Sequence, residues 1–127
     1  MTEPGGGRIL VVDDDEDIRG ALADLLAEKG YEVSLAANGK EALELCHSRP
    51  TPDLIFLDLM MPVMGGADFI RVKDADPNLT DVPVCVMTAF AASARIPATS
   101  SLVLRKPLGS ADIFAVVKRF CRPAAIA

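Results

Sequence analysis

The sequence predicts an α/β fold: a doubly wound parallel sheet of five strands with helices on both faces. Three observations lead there. Short apolar runs without polar alternation recur along the chain, as in strands covered on both sides. Between them lie stretches whose apolar residues recur at helical spacing. The two textures alternate five times, which calls for parallel strands joined by right-handed crossovers. The 127 residues, half of them hydrophobic and few aromatic, suit one domain with an aliphatic core.

Each element has its own warrant. "RILVV" (8–12) is a β-branched run without alternation, the first strand. In "EDIRGALADLLAEKG" the residues Ile18, Ala21, Leu22, Leu25 and Leu26 share a helical face, and Gly30 stops the helix. "YEVSLA" (31–36) alternates Tyr31, Val33 and Leu35 with Glu32 and Ser34, so it reads as an edge strand. "NGKEALELCHSR" is a helix opened by Asn38, with Ala42, Leu43, Leu45 and Cys46 free to be buried. "DLIFLD" is the third strand, apolar up to its last residue. "GADFIRVKDA" is a shorter helix closed by Pro77. "VPVCVMT" (82–88) and "LVLRK" (102–106) are strands four and five. "SADIFAVVKRF" is the last helix, with Ser110 as its expected N-cap and Ile113, Val116, Val117 and Phe120 as its buried stripe. Between strands four and five, "FAASARIPATSS" is a poor helix: Pro97 interrupts it and Thr99, Ser100 and Ser101 support it weakly. A short helix or a disordered, mobile loop is expected there.

Composition excludes several classes. The net charge of -5, from 18 acids and 13 bases, leaves no basic excess for nucleic acid or an anionic membrane. No run reaches the ~20 apolar residues of a spanning helix, and the start lacks the layout of a signal peptide. Cys46, Cys85 and Cys121 lack metal-ligand spacing and read as buried, reduced thiols, which suits a cytoplasmic protein. Residues 1–7 read as a flexible leader, 8–122 as the domain and 123–127 as a tail. His47, the one histidine, reads as structural or exposed.

Chemistry in a doubly wound sheet gathers beyond the carboxyl ends of its strands. Strand one ends in Asp13, Asp14 and Asp15, strand three in Asp58, strand four in Thr88 and strand five in Lys106. Taken singly, each has an ordinary reading: acids at a helix start, a strand-end carboxylate, a β-branched strand residue, a surface lysine. Taken together, they deliver several carboxylates, a hydroxyl and an amine to one rim. Asp58, which follows Leu54, Ile55, Phe56 and Leu57, is tolerable there because the rim meets water. A few carboxylates with waters suit Mg²⁺. A carboxylate beside such a cation, an ammonium and a hydroxyl is set up to attack phosphorus.

"VVDDDEDI", "DLIFLDLMMPVMGG", "VCVMTA" and "LRKP" resemble the four signature segments of response-regulator receiver domains, the phospho-acceptors of two-component signalling. The resemblance covers roughly residues 8 to 121. It implies strand order 2-1-3-4-5, Asp58 as the phosphorylated residue and a metal ligand, Asp13 and Asp14 as the acidic pair that holds Mg²⁺, Asp14 directly and Asp13 largely through water, and the Met60 backbone carbonyl as the remaining protein ligand. Thr88 matches the switch hydroxyl and Lys106 the phosphate-pairing lysine. Gly65 and Gly66 would shape the adjacent turn, and the bond from Lys106 to Pro107 would be cis. It also implies a phosphodonor, a sensor histidine kinase or phosphotransfer protein. The chain would then be a signalling acceptor that promotes its own phosphorylation and dephosphorylation, not an enzyme. With no DNA-binding or enzymatic segment after residue 121, output through protein contact is expected.

Two departures concern the readout. Val103 stands where the family often places Tyr or Phe, and the span from Thr88 to Lys106 is short. Met60 and Phe90 occupy positions that in the family often carry polar residues, and two large apolar groups there are expected to shield an acyl phosphate from water. Met61 and Met64, with Met60, read as gap-fillers near the rim. A non-phosphorylated pseudo-receiver acting as a binding module is the alternative. A small Mg²⁺-dependent phosphatase is opposed by Met60, which cannot act as an acid. A flavin-binding protein is opposed by the acidic triplet after strand one.

Overall fold

The computed structural model describes residues 7–88, 102–106 and 108–121. The expectations for the segment between strands four and five, for Phe90, for the bond to Pro107 and for both ends of the chain lie outside these residues. The described elements alternate as expected: β1 (Arg8–Val12), α1 (Glu16–Glu28), β2 (Glu32–Ala36), α2 (Gly39–Ser48), β3 (Leu54–Asp58), α3 (Gly66–Asp74), β4 (Val84–Thr88), β5 (Leu102–Arg105) and α4 (Ser110–Phe120).

All strand pairings are parallel, and the sheet order is β2-β1-β3-β4-β5. β3 therefore lies at the centre, and Leu54 to Leu57 are fully buried. Alternate side chains of each strand face opposite layers. Leu10, Val12, Ile55 and Leu57 meet Ala42 and Cys46 of α2 and Phe69 and Ile70 of α3. Ile9, Val11, Leu54 and Phe56 meet Leu22 and Leu26 of α1 and Ile113, Val116 and Val117 of α4. Each fully buried aliphatic or aromatic side chain contributes about 1.5–3 kcal/mol. These two layers are why the central strands read as unbroken apolar runs.

The local signals mostly hold. Asp15 caps α1 by accepting from the backbone N–H groups of Asp17 and Ile18, and Gly30 ends that helix at φ 93°, a left-handed conformation glycine takes without strain. Asn38 caps α2 by accepting from Glu41 N–H.

Four details differ from expectation. The N-cap of α4 is Gly109, with Ser110 already the first helical residue and no side-chain cap. In β2, Leu35 is 42% exposed and Ala36 is buried. The strand is an edge, as expected, but at its end the exposed and buried positions are the reverse of the alternation read from the sequence. Ala21 of α1 is exposed. Met60 is no gap-filler, being 72% exposed, whereas Met61 and Met64 do pack against the α2–α3 layer. His47 is exposed and pairs with Asp76 at 3.0 Å.

The three cysteines are free and buried. Burial raises all their pKa values, Cys85 to about 12 and Cys121 to about 11. Thiolate chemistry is thereby suppressed.

Candidate functional site

The carboxyl ends of β1, β3, β4 and β5 meet at one rim of the sheet. Asp13 follows β1 and is fully buried. Burial demands partners for its carboxylate. One oxygen accepts from Asp15 N–H at 2.9 Å and the other from the Lys106 ammonium at 2.9 Å. Its backbone is held from both sides: its N–H donates to Ala36 C=O, and the Arg19 guanidinium donates to its carbonyl.

Asp58 ends β3. One carboxylate oxygen accepts a long bond, 3.4 Å, from Met60 N–H. The other lies 3.6 Å from the Lys106 ammonium. Asp14 is exposed beside them. One oxygen from each of Asp13, Asp14 and Asp58 falls within 4.8 Å of the others. Thr88, the last residue of β4, is buried. Its backbone carbonyl accepts from Lys106 N–H at 2.9 Å, which ties the end of β4 to the residue after β5.

The electrostatics follow from this crowding. Burial raises the Asp58 carboxyl first, the Asp13 charge raises it further, and Lys106 pulls it partly back; the result is about 6. For Lys106, burial favours the neutral amine, but the bond to Asp13 and the charges of Asp13 and Asp58 outweigh it and raise the pKa.

Three carboxylates around one small volume, with one of them fully buried, fit a hard divalent cation. Their mutual repulsion is what such a cation would relieve. The sequence-derived site residues Asp13, Asp14, Asp58, Thr88 and Lys106 thus end at the same rim, and Met60 sits in the loop that begins there.

The glycines beside the site are there for close approach. A Cβ on Gly66 would lie 2.6 Å from the Asp58 carbonyl oxygen, and Gly66 N–H donates to Leu59 C=O at 3.0 Å. Gly65 is the N-cap of α3. Between Pro62 and Met64 the loop makes a γ-turn, with Val63 at φ 68° and Met64 N–H donating to Pro62 C=O at 2.7 Å.

Sequence reading missed Arg19. Its signal was a cation near the positive N-terminal end of a helix, where only a nearby acceptor makes it favourable. Gly39, which touches the Val63 loop, left no signal.

Comparison with known proteins gives a consistent result. The description "Response regulator receiver domain" belongs to the family model that matches residues 9–118. The transcriptional regulatory protein PrrA of Mycobacterium leprae is 40% identical over 119 residues, which are 91% of this chain and 50% of PrrA. The chain thus spans half the length of that relative. Protein Rrf1 of Nitratidesulfovibrio vulgaris is 33% identical over 112 residues, 88% of this chain and 80% of Rrf1. Among solved structures, the receiver domain of a sensor histidine kinase from Pseudomonas aeruginosa PAO1, with a magnesium ion coordinated in its active-site cleft, superposes with a TM-score of 0.84 at 28% identity. That match covers 91% of this chain and 97% of the other. The chemotaxis response regulator CheY4 of Vibrio cholerae gives a TM-score of 0.82 at 28% identity, over 91% of this chain and 98% of CheY4.

Proposed function

The chain belongs to the response regulator receiver domain family of two-component signalling, and on that premise we propose that Asp58 accepts a phosphoryl group from a phosphohistidine. The donor is a sensor histidine kinase or a phosphotransfer protein, and the setting is the cytoplasm. The observation that carries this reading is the Lys106 ammonium lying between Asp13, at 2.9 Å, and Asp58, at 3.6 Å, beside a three-carboxylate cluster.

An Asp58 oxygen forms the new O–P bond as the donor's P–N bond breaks, and the electron pair leaves with the imidazole nitrogen. Lys106 offers its ammonium to a phosphoryl oxygen, and Thr88 its hydroxyl. Asp13, Asp14 and the Met60 carbonyl would hold Mg²⁺, with Asp58 itself in reach. When bound, the cation neutralises phosphoryl charge. The role is that of a signalling acceptor, with output through contact with a downstream protein.

Incubation with acetyl phosphate and Mg²⁺, read by intact mass, tests the proposal. The expected result is a gain of one phosphoryl group that Asp58→Asn and removal of Mg²⁺ each abolish. A folded wild type that gains nothing would leave the second reading, an unphosphorylated binding module. That reading draws its support from Val103, an exposed aliphatic on β5 where the family often has an aromatic.

A further inference from the structure

Two segments would supply the ligands of the cation site: the turn after β1, with Asp13 and Asp14, and the loop after β3, with Met60. The β1–β3 ladder ends at Val12 and Leu57, and past it neither segment bonds to the other through its backbone among the described residues. Both bond to the corner between β2 and α2. Asp13 N–H donates to Ala36 C=O at 3.1 Å on one side of that corner. Gly39 N–H donates to Met64 C=O at 2.9 Å on the other.

The corner is itself stiff. Asn38 accepts from Glu41 N–H at 2.9 Å, and the Glu41 carboxylate accepts from Ala37 N–H at 2.8 Å, a reciprocal capping arrangement. It fits the β3–α3 loop without slack. A Cβ on Gly39 would stand 2.7 Å from Met64 Cγ, 2.9 Å from its Sδ and 3.0 Å from its carbonyl oxygen. The Met64 side chain could swing aside; the carbonyl could move only with the loop. That same loop carries a β-branched residue in a left-handed turn, Val63. Such a conformation persists only where neighbours enforce it, and the Gly39 contact lies one residue away.

We propose that the β2–α2 corner, residues 36–39, is the positioning element that holds the two ligand-bearing segments in register, with Gly39 as its positioning residue. It touches neither cation nor phosphoryl group and acts through Ala36 on Asp13 and through Met64 on the loop of Met60. The inference rests on the magnesium-bound reading above and adds a control point remote from the chemistry.

The test is Mg²⁺ titration by calorimetry on the full chain, alongside acetyl phosphate transfer measured against Mg²⁺ concentration. Gly39→Ala is expected to weaken Mg²⁺ binding about tenfold, the size seen when supporting contacts around a metal site are lost. Its transfer rate at saturating Mg²⁺ should stay at the wild-type level. Adding Met64→Ala removes the two side-chain contacts but keeps the one to the carbonyl, so it should recover little of the affinity. Asn38→Ala, which loosens the corner without a clash, carries the test if Gly39→Ala does not fold, and should also raise the Mg²⁺ requirement. A folded Gly39→Ala with wild-type affinity, a loss confined to the maximal rate, or a double variant that regains the full affinity would each overturn the inference. If wild type itself binds no Mg²⁺, the acceptor reading falls first, and the two failures are distinguishable.

Discussion

Asp58 is costly as an anion in the metal-free protein, and the direction of its pKa fixes how that cost appears. Burial and the Asp13 charge push the carboxyl up to about 6 in the folded protein, against about 4 in an unfolded chain, so the folded state prefers the protonated form. Metal-free stability should therefore fall as pH rises from ~4 to 6 and level off above. Asp58→Asn removes the charge without changing the shape. Asp58 is buried, with Lys106 compensating its charge in part, so the gain should be about 1–2 kcal/mol at pH 8 and near zero at pH 4. Urea unfolding in a chelator at the two pH values measures the difference. An equal gain at both would show that charge is not the cause.

At the scale of elements, β3 ends in Asp58 and is the central strand of the sheet. Phe56 is fully buried in the α1–α4 layer. Phe56→Ala is expected to cost about 3–5 kcal/mol by urea unfolding. A cost under ~1 kcal/mol would mean the layer closes over the gap. The strands were legible from sequence because double-sided burial leaves an unbroken apolar run, as in Leu54 to Leu57. Helix ends were less so. Ser110 is a better N-cap type than Gly109, yet the chain enters α4 one residue earlier, where backbone path overrides side-chain preference. Leu35 obeyed the period of two and is still exposed while Ala36 is buried, because periodicity assigns a face and does not by itself decide whether that face is covered. The rim residues were readable for a simpler reason: each ends a strand or follows its end within two residues, and parallel strands end together. Arg19 and Gly39 act through backbone contacts across different turns, and nothing in their local sequence marks those contacts.

For the whole molecule, with its net charge of -5, binding a divalent cation at the carboxylate cluster should couple directly to stability. A ligand at tenfold excess over its Kd adds about 1.4 kcal/mol. That corresponds to a rise of several degrees in Tm. Mg²⁺ should produce it where NaCl of equal ionic strength does not, since screening alone treats the surface acids alike. Asp13→Asn should lose most of the rise. An equal response to both salts would place the effect on the surface at large.

The bridge from Lys106 to Asp13 and Asp58 has one more consequence. The chain brings its own counter-ion, attached by a covalent stem, to the place where three acids crowd. A nascent molecule can complete this corner of its architecture before any cation arrives, and withdrawing a bound cation would leave the scaffold standing.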